Sequence, residues 1–296
     1  MLEGSPRGER GITRRRFLLA AGGTLLAGGV AALGSYGYAR EVEPRWLAVE
    51  HVALPLPNLS PALAGFKVVL MGDFHLHPFT QLDLVHRAVR LIARLQPDLI
   101  LLVGDYVLAS AQSIWELAPL LATMSARYGI MAVLGNHDLW TDADLVGRGL
   151  EQAGISLLVN QGRSIAVGGE ALYVAGLDDG WSGHPDLERA LAGRPEGAPV
   201  LLLIHEPDFA DLWAQDGRVA VQLSGHSHGG QVRLPGIGAL ILPRYALKYD
   251  CGLYRVGQMW LYTTRGIGVI GPLLRWGCRP EITAITLQAA SGMPQK

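Results

Sequence analysis

The body of the chain alternates short apolar runs with stretches of helical periodicity. Lys67-Val68-Val69-Leu70-Met71 predicts a short buried strand that ends at Gly72-Asp73. A helix is expected over residues 82–95, because Leu82, Val85, Val89, Ile92 and Leu95 recur on one face and Pro97 closes the segment. Leu99–Val103 predicts the next strand, ending at Gly104-Asp105, and a second helix is expected over about 114–128. Ile130–Leu134 predicts a third strand, ending at Gly135-Asn136-His137-Asp138. This β-α-β-α-β order implies parallel strands with helices packed on them. Ahead of it, residues 46–54 read as an extended edge segment. The second half is richer in strand, over residues 171–176, 200–204, 219–223, 253–256, 259–263 and 282–287, with helices near 186–191 and 208–214. No repeat of solenoid length is present, and residues 193–199 read as an exposed loop.

The N-terminal pattern is of another kind. From Phe17 to Ala39 no charged residue occurs, and Ala, Gly and Leu dominate. Thr13-Arg14-Arg15-Arg16-Phe17-Leu18-Leu19 precedes and enters this stretch, and it resembles the twin-arginine export signal. A basic segment followed by an apolar one is the layout of a signal peptide, and about 20 apolar residues also suffice to span a bilayer as a helix. Residues 1–39 are therefore expected to be a twin-arginine-type signal or membrane anchor, with the twin-arginine translocase as an export partner. The basic end stays cytoplasmic and the body lies outside. Ala32-Leu33-Gly34 and Gly37-Tyr38-Ala39 are both tolerable cleavage sites, so anchored and released forms both remain open.

Composition sharpens the picture. Of 296 residues, 49% are hydrophobic and 17% charged, enough to build a substantial core over residues 40–296. The formal net charge of -1 hides an asymmetry. Arg7, Arg10, Arg14, Arg15 and Arg16 face only Glu3 and Glu9 in the first sixteen residues; setting these aside leaves 20 of 25 basic and 24 of 26 acidic side chains. A mildly acidic body lacks the broad basic surface that nucleic acids require, so no nucleic-acid partner is expected. Cys251 and Cys278 fit no metal-ligand spacing, and an exported chain can keep them paired or free.

The candidate chemistry lies just beyond the strands. Asp73-Phe74-His75, Gly104-Asp105, Gly135-Asn136-His137-Asp138, His205 and Gly225-His226-Ser227-His228 each follow an apolar β run. A lone histidine in such a place is more often a hydrogen-bonded core or surface residue. Five of the nine histidines gathered with two aspartates and an asparagine are a different matter, since buried charges and imidazoles are costly unless paired or bound to metal. The carboxyl ends of parallel strands are also where sites assemble in α/β sheets. Imidazole and carboxylate without thiol suit manganese, iron or zinc, with manganese favoured. Asp-x-His is expected to be extended, placing both side chains on one side, and His226 and His228 to repeat that geometry. Asp105 is the natural carboxylate to bridge two ions, and the Asn136 amide oxygen adds a ligand without adding charge. Two divalent ions can clamp both the attacking and leaving oxygens of a phosphoryl centre.

In this order the five blocks resemble the calcineurin-like metallophosphoesterases. The resemblance implies a four-layer αββα sandwich of α/β (α+β) class with its metal site at strand C-terminal ends. It implies that Asp73, His75, Asp105 and His228 hold one ion and Asp105, Asn136, His205 and His226 the other. It further implies that His137 contacts the phosphate and protonates the leaving oxygen, with Asp138 orienting it from behind. Members often carry a second acid shortly after Gly-Asp, where this chain has Tyr106, Val107 and Leu108. A narrower similarity is to bacterial phosphodiesterases with a twin-arginine leader or membrane anchor, carried by Phe74-His75-Leu76-His77, Gly266-Ile267-Gly268, Pro272-Leu273-Leu274-Arg275 and Pro280-Glu281-Ile282. Some of these act on cell-wall or lipid-linked phosphodiesters.

The leading expectation is thus a dimetal phosphodiesterase or pyrophosphatase acting on an envelope or lipid-linked substrate. A phosphomonoesterase or nucleotidase is the alternative, and a non-catalytic scaffold the minor one, since all seven ligand positions and His137 are kept. Around the centre, His77 either lines the mouth or is polar surface, and His51, His86 and His184 are expected to be solvated. Arg265 and Arg275 are either phosphate ligands or ordinary surface arginines. Tyr245, Tyr249 and Tyr254, near Arg244 and Lys248, form a substrate rim or pack a loop, and Trp140 is a candidate wall of the cleft.

Overall fold

The computed structural model describes residues 13–290. Helix α1 (Arg14–Gly37) leads through irregular helical turns at Tyr38–Val42 and Glu43–Arg45 to strand β1 (Ala48–Leu56). Then follow β2 (Lys67–Met71), α2 (Leu82–Leu95), β3 (Leu99–Val103), α3 (Ile114–Leu121), β4 (Ile130–Val133), α4 (Asn136–Thr141), α5 (Ala143–Gln152), β5 (Ser156–Leu157) and β6 (Gln161–Val167). The second half comprises β7 (Glu170–Gly176), α6 (Leu187–Leu191), β8 (Val200–Leu203), α7 (Ala210–Trp213), β9 (Val221–Ser224), β10 (Arg233–Leu234), β11 (Gly238–Ala239), β12 (Gly252–Val256), β13 (Met259–Thr263) and β14 (Glu281–Ala289).

Two six-stranded sheets result, ordered β1-β14-β2-β3-β4-β5 and β12-β13-β9-β8-β7-β6. The strands alternate between cores in the manner of a layered fold. Val68, Leu70, Leu99, Leu101 and Val103 point into the layer between the sheets, where they meet Leu172, Val174, Leu201 and Leu203. Val69, Met71, Ile100 and Leu102 point the other way, onto α2, α3 and α5. Tyr173, Ala175, Val200 and Leu202 face outward from the second sheet, onto α6 and α7. Three apolar interfaces separate four layers, the expected αββα order. Burying one such leucine or valine side chain contributes about 1.5–3 kcal/mol, so all three apolar layers stabilise the sandwich.

In the first sheet β2, β3, β4 and β5 are mutually parallel, and in the second so are β7, β8, β9 and β13. Their carboxyl ends meet at one edge of the sandwich. The expected helix over 114–128 ends instead at Leu121; Pro119 lies inside it, and the Thr123 hydroxyl bonds back to the Leu120 carbonyl, 2.6 Å away, as the chain turns toward β4. The expected edge segment over 46–54 appears as strand β1, two residues later at Ala48–Leu56, and pairs in parallel with β14. Strand β6, not foreseen, closes the far edge of the second sheet, antiparallel to β7. The two cysteines are free, Cys278 buried and Cys251 partly so.

Of the expected leader, residues 1–12 lie outside the described residues. The rest forms a helix whose 18-residue apolar window has a mean hydropathy of 1.8 and no buried residue. Contact with the body begins at its end, where Tyr38 stacks edge-on against Trp276 at 5.7 Å and the Ala39 carbonyl accepts from Arg275 N at 2.9 Å.

Candidate metal centre

Each strand that ends at this edge delivers a polar side chain: Asp73 and His75 after β2, Asp105 after β3, Asn136 after β4, His205 after β8, and His226 and His228 after β9. All seven are buried. The expected extended geometry of Asp73-Phe74-His75 does not occur. Asp73 has φ 52° and His75 φ 45°, and Asp105, His226 and His228 likewise take left-handed values of 54°, 69° and 51°. Non-glycine residues in this region cost on the order of 1–3 kcal/mol each and persist only where the surroundings impose them. Here the imposing contacts are backbone hydrogen bonds that carry the sheet pairing past its last residues. Asp73 N donates to Gly104 O and His75 N to Asp105 O, at 2.9 and 3.0 Å, while Gly225 N donates to His205 O at 3.0 Å. The tight turns reverse the side chains inward so that five separate loops converge. Glycine is required where they touch: a Cβ on Gly104, at φ +89°, would lie 2.6 Å from Gly135 N, and one on Gly225 would lie 2.6 Å from Asp73 Oδ2.

The donor atoms form three groups: Asp73, His75 and His228 on one side, Asp105, His205 and His226 on the other, and His75, Asp105 and His137 linking the two. Asp105 stands between them. Its Oδ2 lies 3.3 Å from His75 Nε2 and 3.1 Å from His205 Nε2, while its Oδ1 accepts from His137 N at 2.9 Å. Asp73 Oδ1 accepts from His226 N at 2.8 Å, which leaves Oδ2 with no partner. Asn136 Oδ1 is likewise buried and unpartnered. Orphaned buried acceptors of this kind are expensive, and a pair of cations, one at Asp73 and one at Asn136, would satisfy both. For His205 and His226 the tautomer is set from behind by a backbone carbonyl. His205 Nδ1 donates to Val103 O at 2.6 Å, leaving Nε2 toward Asp105, and His226 Nε2 donates to Arg244 O at 2.8 Å, leaving Nδ1 inward. His75 and His228 bring their Nε2 atoms within 2.9 Å of each other, a separation that suits two ligands of one ion. The seven residues fit a pair of divalent metal ions.

Without metal the electrostatics are those of a buried cluster. Burial, and then the Asp105 carboxylate, push Asp73 up to about 7, opposed mainly by His205. Burial pushes His75 and His226 down to about 3, so both are neutral donors at ordinary pH. Although burial opposes it, Asp105 holds the His205 imidazole well above its usual range, and their attraction draws Asp105 well below the carboxylate range.

His137 stands over the cluster half-buried, its ring 4.7 Å from that of His75 and 4.9 Å from Trp140. Asp138 does not lie behind the His137 ring, contrary to expectation. As the third residue of α4 its carboxylate reaches back and accepts from Gly135 N, Asp105 N and Tyr106 N, each at 2.9 Å, and from Val107 N at 3.3 Å. It thereby locks the Asp105 loop to the start of α4. Burial and the Asp105 carboxylate push its pKa up to about 8, and the amides pull against them. Tyr106, in the stretch where a second acid is often found, is instead buried, stacked on Phe74 at 5.8 Å with its hydroxyl on Val133 O at 3.0 Å.

Neither reading of the two arginines holds. Arg275 is fully buried and donates to the carbonyls of Arg265, Gly266, Gly268 and Cys278, clamping the loop that backs Asp73. Arg265 is committed to Glu281 and Glu50. His77 is half-buried beside Glu116, at 3.3 Å, and His51, His86 and His184 are exposed. Trp140 is an exposed wall, its Nε1 donating to Ser182 Oγ at 2.8 Å. The residue that sequence reasoning missed is Trp181. It packs edge-on against Trp140 at 5.1 Å, His226 at 5.7 Å and Tyr245 at 5.9 Å, completing an aromatic rim. Its loop is pinned by two buried carboxyls: Asp179 accepts from Trp181 N and Ser182 N, and Glu206 from Gly180 N and Trp181 N. The signal was available, because Leu177-Asp178-Asp179-Gly180 follows a strand just as the other site loops do.

The calcineurin-like phosphoesterase profile matches residues 66–230, the span that holds all seven ligand positions. The chain is 34% identical over 284 residues to the metallophosphoesterase YkuE of Bacillus subtilis, covering 95% of this chain and 99% of that one. It is 34% identical to the phosphodiesterase YaeI of Escherichia coli over 283 residues, covering 93% and 99%. It is 32% identical to a transmembrane protein with a metallophosphoesterase domain from Danio rerio over 274 residues, covering 88% of this chain and 61% of that protein. The chain belongs to the calcineurin-like phosphoesterases, hydrolases of phosphoric ester bonds.

Proposed function

We propose that this enzyme is a two-metal phosphodiesterase or pyrophosphatase that cleaves an envelope or lipid-linked substrate outside the cytoplasmic membrane, exported by the twin-arginine route. The observation that carries the diester reading is the mouth of the site. It is walled by Trp140, Trp181 and Tyr245, while Arg265 and Arg275 are spent on Glu50, Glu281 and backbone carbonyls. A diester carries one negative charge and two organic arms, and aromatic walls suit the arms. A monoester dianion would call for more cations at the rim than the single unpaired guanidinium that the described residues place there, Arg244 over Tyr245. The similarity to a protein named phosphodiesterase supports the same choice. A nucleotidase is the second reading, because the exposed face of Trp140 could stack a base.

Asp73, His75, Asp105 and His228 would hold one ion and Asp105, Asn136, His205 and His226 the other, manganese in preference to iron or zinc. When bound, two such ions supply Lewis-acid polarisation of the phosphoryl oxygens and an activated water. The chain does the rest. Asp105 fixes the spacing of the two halves through its shared Oδ2. His137, with Nδ1 turned to Leu108 O at 3.5 Å, presents Nε2 to the substrate and passes a proton to the leaving oxygen. Asp138 acts one step back, holding the Asp105 loop and α4 in register.

Purified protein supplied with manganese should hydrolyse a bis-aryl phosphodiester faster than the matching aryl monoester, with Asp105→Ala as the blank. Preference for the monoester would transfer the assignment to a phosphatase or nucleotidase.

A further inference from the structure

The segment after the His226–His228 turn is unlike the rest of the surface. Between β10 and Lys248 the chain exposes Ile237 (72%), Leu240 (52%), Ile241 (75%) and Leu247 (67%). Four large aliphatic side chains exposed along one short segment around β11 are a concentration of apolar surface that water disfavours and that marks a contact surface. The same loop builds the metal centre: Arg244 O receives His226 Nε2, and Tyr245 packs on Trp181. The Arg244 guanidinium lies over the Tyr245 ring at 4.5 Å and forms no ion pair with any described residue.

Its base is tied to the root of the apolar helix. Val232 bridges to Trp276, Arg233 N donates to Trp276 O, and Trp276 N to Gln231 O. The Trp276 ring also packs edge-on against Tyr38, the residue at which α1 meets the body. One residue thus joins the apolar loop to the exit of a helix that buries nothing within the protein.

We propose that residues 234–247 are a membrane-docking loop. Ile237, Leu240, Ile241 and Leu247 enter the interface of the bilayer that holds α1, and Arg244 meets anionic headgroups there. The inference rests on the anchored reading of α1 and on the envelope substrate proposed above, and it adds how the site meets that substrate. Once α1 is inserted, the loop contact is intramolecular, so a few aliphatic side chains are enough to hold it. Docking sets the aromatic rim at headgroup level, where a phosphodiester on a lipid lies, and a soluble diester needs no such contact.

The test uses full-length protein in vesicles of phosphatidylethanolamine and phosphatidylglycerol, some with brominated acyl chains. An environment-sensitive fluorophore is attached at Ile241→Cys, in a Cys251→Ser background, with Ala166→Cys on β6 at the opposite edge of the sheet as the control. Emission from position 241 should shift to the blue and be quenched about twofold or more by brominated lipid, position 166 should show neither effect, and adding Ile237→Asp should weaken the quenching at 241. Emission from 241 like that of a water-exposed dye would overturn the proposal. A shift that follows protein density and ignores brominated lipid would overturn it too, in favour of a second copy covering the loop. Turnover of the soluble bis-aryl diester by the same preparations reports the proposed function separately.

Discussion

At the scale of single residues, the division between holding metal and moving protons is sharp. Asp105 Oδ2 serves both halves of the centre, so Asp105→Ala should empty both and reduce kcat at least about 10³-fold. His137 contributes no atom to the orphaned set, and its replacement by Ala should leave the metal content unchanged while lowering kcat by about 10²–10⁴, the usual range for a general acid. Elemental analysis beside kinetics separates the two; equal metal loss in both variants would refute the assignment. Metal uptake should also be steeply pH-dependent. His75 and His226 are already neutral, pushed down to about 3, but Asp105 keeps His205 protonated and Asp73 titrates near 7. A bound ion needs both in their basic forms. The logarithm of the apparent affinity should therefore rise by about one per pH unit above pH 7, for the His205 proton, and by about two below it, where the Asp73 proton is displaced as well. Titration calorimetry in buffers of different ionisation enthalpy counts these protons, and an affinity that is flat between pH 6 and 8 would contradict the scheme.

At the scale of elements, the parallel strands were legible because their apolar runs end abruptly in glycine and a polar residue, as Leu99–Val103 ends in Gly104-Asp105. The helix over 82–95 was legible from its periodicity and Pro97. What could not be read was set by contacts distant in sequence. The left-handed turns at Asp73 and His75 are imposed by the Gly104 and Asp105 carbonyls. Asp138 looks like a partner for the adjacent His137, yet α4 turns it toward amides more than thirty residues earlier in the chain. Arg275 is the clearest case, since nothing local says that its guanidinium is buried among four carbonyls. Its removal would strand those acceptors in the loop that carries Gly266 and Gly268, whose backbone lies against Asp73. Arg275→Met should cost about 3–5 kcal/mol, read as a lower urea midpoint at unchanged slope. Arg275→Lys should recover less than half of that, because an ammonium cannot reproduce the planar fork. A loss under about 1 kcal/mol in Arg275→Met would mean that the loop holds itself.

At the scale of the whole molecule, the chain is a hydrolase body joined to an apolar helix, and the joint is part of the body. The 18-residue apolar window of this helix has no buried residue. Residues 38–45 are integrated: Ala39 is buried with its carbonyl on Arg275 N, Tyr38 lies against Trp276, and the buried Glu43 carboxylate accepts from Cys278 N at 2.5 Å. Cys278 in turn directs its thiol at the His228 carbonyl, 3.2 Å away. The joint therefore supports the wall of the metal centre through a short chain of contacts. Two truncations distinguish an anchor from a structural element. A protein beginning at Tyr38 should be soluble without detergent and unfold within about 1 °C of the full chain in detergent, since it loses only the exposed Arg40–Tyr36 hydrogen bond and the backbone bonds of the helix end. A protein beginning at Trp46 loses the Glu43 carboxylate, the Ala39 carbonyl and the Tyr38 ring together. It should be destabilised by about 2–3 kcal/mol, or roughly 5–10 °C in Tm, and it should bind metal more weakly because the His228 turn is no longer braced. If both truncations unfolded at the same temperature, residues 38–45 would be a passive linker, and the coupling of the membrane-proximal segment to the metal centre would have to be given up.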